Sequence, residues 1–89
     1  MILLSIIIPV YNVEPYIKKC LDSLIHCIDS NQAEIICIDD GSTDQSGKIC
    51  DVYQGKYNNI KVIHQKNQGV AAARNTGLSH AKGEYIAWV

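Results

Sequence analysis

Two adjacent carboxylates, Asp39 and Asp40, end the apolar run that starts at Glu34 and lead directly into Gly41, Ser42, Thr43 and Asp44. A carboxylate is costly to bury without donors around it. A core-type strand that ends on two of them must therefore offer at least one to a ligand or to loop amides. Neighbours in an extended segment point to opposite faces, so the pair is poorly disposed to chelate one ion. Asp40 is expected to face a crevice and accept a hydrogen bond from a ligand N–H or hydroxyl, while Asp39 satisfies loop amides. Gly41 permits the sharp turn. Ser42 or Thr43 is expected to cap the following helix, with Ser42 and Gln45 at capping-box spacing. Turn and cap chemistry is the expected role of Ser42, Thr43 and Asp44.

A second cluster lies in "NQGVAAARNTGLSHA". Arg74 is a permanently charged, planar donor set, suited to a phosphate or to pairing with Asp39 or Asp40. Ala71 to Ala73 let a helix sit close to a sheet, and Gly77 permits close packing despite a helix cost of about 1 kcal/mol relative to Ala. A third stretch, "PVYNVEP", contains no glycine, and Pro15 removes an amide from the helix start. It therefore matches neither a dinucleotide fingerprint nor a P-loop.

Net charge of -1 and the lack of a basic stripe give no electrostatic case for nucleic acid. With 47% hydrophobic and 19% charged residues, the 89-residue chain reads as one small globular domain. The opening "MILLSIIIPV" lacks a basic n-region and a cleavage site, and falls far short of a membrane span of ~20 residues. The four cysteines occupy apolar positions without metal spacing, so buried reduced thiols are expected. His26, His64 and His80 lie on different elements and form no metal motif. Trp88 reads as core, Tyr16, Tyr53 and Tyr57 as helix packing, and Lys18, Lys19 and Lys48 as a solvated face.

Strand-length apolar runs alternate with helical patterns, the arrangement of parallel β-α units. Strands are expected at 3–9, 34–39, 60–64 and 84–89, with helices starting near Pro15, spanning 44–57 and spanning 70–81. Ile17, Leu21, Leu24, Ile25 and Ile28 make one stripe on the first helix. Ile49, Val52, Tyr53 and Tyr57 are expected on the inner face of the second. The fold class is α/β, a three-layer sandwich with a Rossmann-like parallel sheet in order 3-2-1-4 and right-handed crossovers. The first two helices cover one face and the third covers the other. Strand four is then an exposed edge, open to a second copy of the chain. The three loops quoted above meet beyond the carboxyl ends of the strands, where ligands bind in such sheets.

Taken together, "SIIIPVYNVEPYIKKCLDSL", "EIICIDDGSTDQS" and "NQGVAAARNTGLSHAKGEYIAWV" resemble the opening blocks of family 2 glycosyltransferases with the GT-A fold. The resemblance covers nearly the whole chain. It implies inverting transfer of a sugar from a nucleotide-sugar donor, usually a UDP-sugar, to an acceptor hydroxyl of a glycan or lipid-linked acceptor. By position, Pro9, Val10 and Tyr11 lie along the nucleoside, Asp40 accepts a hydrogen bond from the base, and Asp39 and Arg74 complete the nucleotide-binding set. Gly41, Ser42, Gly69, Asn75 and Gly77 carry the family's structural motif.

The family's metal-binding Asp-x-Asp follows strand four, where this sequence stops at Val89. A divalent cation, Mg2+ or Mn2+, is therefore expected in a longer parent, with no metal ligand and no catalytic residue among residues 1–89. Residues 1–89 are accordingly expected to be the nucleotide-sugar-binding part of an incomplete glycosyltransferase domain, inactive alone. The expected setting is cytoplasmic, at the inner face of the membrane where the parent associates with one. The alternative is a non-catalytic nucleotide-binding or interaction module that ends naturally near Val89; the coding sequence downstream distinguishes the two.

Overall fold

The computed structural model describes residues 2–89. β-Branched side chains suit a pleated surface covered on both faces, and the Ile-rich runs form the two central strands. β1 is Leu4–Val10 and β2 is Ala33–Asp40; β3 (Ile60–Gln65) and β4 (Tyr85–Trp88) flank them. All pairings are parallel and the order is β3-β2-β1-β4. The intervening helices are α1 (Glu14–Cys27), α2 (Ser46–Lys56) and α3 (Val70–His80). The expected fold class and strand order hold.

Side-chain alternation along the strands builds two cores. Ile6, Ile8, Val10, Ile35 and Cys37 pack with Ile17 and Leu21 of α1 and Cys50 and Tyr53 of α2. Ile7, Ile36 and Ile38 face the other way, against Ala73 of α3. The same parity sends Asp39 to the α1–α2 face and Asp40 to the α3 face. At Gly77 α3 lies close against β1: a methyl group there would run into the Ile7 side chain.

Several expectations need correction. α2 begins at Ser46, with Gln45 as N-cap and no side-chain cap bond, so the Ser42–Gln45 capping box does not form. The Ser42 hydroxyl instead accepts the Asn12 amide at 3.1 Å, across to the neighbouring loop. Val52 and Tyr16 are exposed. Each is one residue, about 100° of helix, from a buried neighbour, Tyr53 and Ile17. Cys27, the last residue of α1, is also exposed, while Cys37 and Cys50 are buried and Cys20 is half-buried; all four are free. Trp88 is 46% exposed on the β4 edge rather than in the core.

Candidate functional site

A cleft of about 390 Å³ opens at the carboxyl ends of β1 and β2. Pro9, Val10, Tyr11 and Val13 form its β1 side; Asp40 comes from β2, Asn67 and Gly69 from the β3–α3 loop, and Val70 and Ala73 from α3. The walls are mainly apolar. Tyr11 is 49% exposed, a flat ring that belongs to no core. Apolar walls with one aromatic and few polar groups suit a planar ligand.

Asp40 is only 3% exposed yet borders this cleft. Its Oδ1 accepts Gln65 Nε2 at 2.9 Å and the Gln68 amide at 2.9 Å, and its Oδ2 accepts the Gly69 amide at 2.9 Å. The Gln65 bond first, then the two amides, hold the Asp40 carboxyl below its usual range against the opposing effect of burial. The site therefore presents a fixed, ionised acceptor. Asn67 Nδ2 donates to the Asp40 carbonyl at 3.1 Å and pins the loop alongside. Gly41 turns the chain away with φ 73, its backbone so close to Asn67 that a side chain there would clash.

Asp39 does not line the cleft. Its Oδ1 accepts the Ser42 amide at 3.0 Å, the expected loop-amide role. Its Oδ2 meets His64 Nδ1 at 2.7 Å, and His64 Nε2 meets Asp51 Oδ1 at 2.8 Å. The hydrogen bond to Asp39, then that to Asp51, raises the His64 pKa, because both ring nitrogens act as donors only in the imidazolium.

The rim is fixed by an interlock that reading the sequence segment by segment missed. Asn12 has φ 50, and its Oδ1 accepts the Thr43 and Asp44 amides at 2.8 and 3.3 Å. Glu14 Oε1 accepts the Gln45 amide at 2.9 Å, while Asp44 Oδ2 accepts the Glu14 amide at 3.1 Å. Buried Ser46 accepts the Val13 amide at 2.9 Å. The β1–α1 and β2–α2 loops thus satisfy each other's amides. The available signal was Asn12 itself, since Asn tolerates a left-handed backbone better than most residues.

Arg74 is exposed, absent from the cleft lining, and stacked over Trp88 at 5.9 Å. It forms no ion pair with Asp39 or Asp40. Asn75 is exposed as well. At the opposite end of the sheet, buried Glu34 accepts the Ser5 hydroxyl at 2.6 Å and the Lys82 amide at 2.7 Å, which ties the α3–β4 turn to the central strands. Burial works to raise the Glu34 pKa, but these bonds and Lys61 outweigh it and lower the pKa. Among the described residues no group of three or more His, Cys, Asp and Glu side chains is arranged to hold a metal ion. Asp39 and Asp40, on opposite faces, do not fit one.

Known proteins share this sequence pattern and fold. Residues 5–89 match the family described as Glycosyl transferase family 2. The uncharacterized glycosyltransferase EpsJ of Bacillus subtilis (strain 168) is 49% identical over 98% of the chain, which spans 25% of EpsJ. The poly(ribitol-phosphate) beta-glucosyltransferase of Bacillus spizizenii is 47% identical over 97% of the chain, which covers 14% of that protein. Among solved structures, S. aureus TarS 1-349 in complex with UDP superposes with a TM-score of 0.89 at 35% identity, covering 99% of this chain and 27% of that one. The mannosyltransferase PcManGT from Pyrobaculum calidifontis, in complex with GDP-Man and Mn2+, gives 0.85 at 26% identity, with 93% and 25% covered. By sequence and fold, the chain belongs to glycosyl transferase family 2.

Proposed function

We propose that residues 1–89 form the nucleotide-sugar-binding part of an inverting glycosyltransferase. Such an enzyme moves a sugar from a UDP-sugar donor to an acceptor hydroxyl in cell-envelope polysaccharide or glycoconjugate synthesis. The observation that carries the reading is the cleft itself, which sets an exposed aromatic ring, Tyr11, beside a buried, ionised acceptor, Asp40. The base stacks against Tyr11 along Pro9 and Val10 and donates a ring N–H to Asp40. Asp39 holds the loop that carries Gly41 and Ser42. Arg74, exposed and next in sequence to the cleft residue Ala73, is the cation assigned to the diphosphate. Solved neighbours in complex with UDP, UDP-GlcNAc and GDP-Man support a nucleotide-sugar donor.

A divalent cation would neutralise the diphosphate leaving group in the longer enzyme; no residue of this chain is assigned to it. The name of the poly(ribitol-phosphate) relative supports an envelope-polymer acceptor. Four free cysteines support a reducing, cytoplasmic setting. Among the described residues no helix is long and apolar enough to cross a membrane.

Titration of UDP into the isotope-labelled chain tests the binding claim. Amide shifts are expected at Tyr11, Asp40 and Gly69, and Asp40→Asn, which would put an NH2 in place of one accepting oxygen and so turn a donor toward the donors that this oxygen serves, is expected to abolish them. A folded sample whose spectrum ignores UDP removes the reading.

A further inference from the structure

The acceptor count at Asp40 carries more than the presence of a carboxylate. A carboxylate has roughly four lone-pair positions, two per oxygen. On Oδ1 both are taken, by Gln65 Nε2 and by the Gln68 amide. On Oδ2 the Gly69 amide takes one. A single acceptor position is left, on Oδ2, in a residue that borders the cleft.

Gln65 is held in this role from behind. It sits opposite Asp40 in the β2–β3 register. Its Oε1 accepts the Thr76 hydroxyl of α3 at 2.7 Å, and the same hydroxyl has the Ala72 carbonyl in reach at 3.0 Å. With its oxygen fixed by a donor, the Gln65 amide has only its NH2 to present to the carboxylate. Thr76, Gln65 and Asp40 therefore form one directed chain of donors that ends at the cleft.

We propose that Gln65, oriented by Thr76, is a specificity-determining positioning residue: by occupying Oδ1 it leaves Asp40 able to accept from one ring N–H only. This rests on the nucleotide-binding reading above and names the base class. A pyrimidine-2,4-dione, uracil or its 5-methyl form, offers one ring N–H between two carbonyls and matches a single acceptor. Guanine presents two neighbouring donors, N1–H and N2–H, whose natural partner is a carboxylate with both oxygens free. Cytosine presents a bare ring nitrogen in place of that N–H, acceptor against acceptor, with its donor displaced to the 4-amino group. Gln65 and Thr76 touch no ligand themselves; they act through Asp40.

The test compares UDP, GDP and CDP affinities, by calorimetry or chemical-shift titration, for the unmodified chain, Gln65→Leu, Thr76→Val and Thr76→Ser. The unmodified chain is expected to prefer UDP over both others. Gln65→Leu opens a position on Oδ1, so the UDP-to-GDP preference is expected to fall about tenfold, the weight of one hydrogen bond to a charged group. Thr76→Val is expected to move the preference the same way and Thr76→Ser to restore it. The midpoint of the Asp40 side-chain carbon signal is expected to rise in Gln65→Leu, a readout that needs no nucleotide. If Gln65→Leu weakens UDP and GDP alike and the preference stands, or if Thr76→Ser behaves as Thr76→Val, the proposal is overturned while the binding site survives. If no nucleotide binds the folded, unmodified chain, the functional reading fails and takes this one with it. Should Gln65→Leu fail to fold, the two Thr76 variants decide by the same preference.

Discussion

Replacing Asn12 separates the two things this residue does at the rim of the cleft. Its Oδ1 accepts two amides of the opposite loop, those of Thr43 and Asp44, and its backbone is left-handed at φ 50. In Asn12→Ala both amides lose their partner but are exposed, so water replaces much of the loss. The net cost is ~0.5–1 kcal/mol for each. A left-handed backbone costs Ala a further ~1 kcal/mol, which Asn partly escapes. The sum is about 2–3 kcal/mol, a large part of the ~5–15 kcal/mol that holds a domain together. Asn12→Gly loses the same bonds without the backbone strain, so it should fall about 1 kcal/mol short of Asn12→Ala in damage. Urea unfolding with a shared slope reads both values. Asn12→Ala within ~0.5 kcal/mol of the unmodified chain would refute the interlock. Asn12→Gly less stable than Asn12→Ala would refute the assigned strain.

Gly77→Ala should destabilise, because the ~1 kcal/mol gain in helix propensity is outweighed by ~1–3 kcal/mol of overpacking against buried Ile7; a higher urea midpoint would contradict that contact. His64 has a folded pKa above the ordinary imidazole value of about 6.5, so its bridge to Asp39 and Asp51 contributes fully below that value and is lost as pH rises through the folded pKa. The stability difference between the unmodified chain and His64→Gln should therefore shrink as pH rises above about 6.5, and a difference that grows would reverse the assignment. Cys27 should react with an aromatic disulfide reagent in the folded chain, while Cys37 and Cys50 wait for denaturant. The hydrogen bond between Cys37 and Cys50, then burial, pushes the Cys37 thiol up and slows it further. Fast native modification at Cys37 would contradict the core packing.

The layers and strand order were legible because they follow from local rules: Ile-rich runs, one helical stripe, and right-handed crossovers between parallel strands. The cleft's front was legible for the same reason. Pro9, Val10, Tyr11 and Asp40 sit at strand ends, where the fold class alone brings loops together. Its backing was not. Asp39 and Asp40 differ in role because β3 lies beside β2 in one register, which sets His64 opposite the first and Gln65 opposite the second. Nothing in "EIICIDD" or "IKVIHQ" separately records that pairing. The capping box failed on similar grounds, since Ser42 and Gln45 meet a local spacing rule while Asn12, distant in sequence, claims the loop. Trp88 was misread because an apolar residue on a strand is core only if something covers that strand, and β4 is an edge. A carboxylate at a strand end becomes a ligand group only when its neighbours leave it an acceptor. For Asp40 that count depends on Gln65 across the ladder and Thr76 behind it, so the fold must be known before the chemistry of the residue can be.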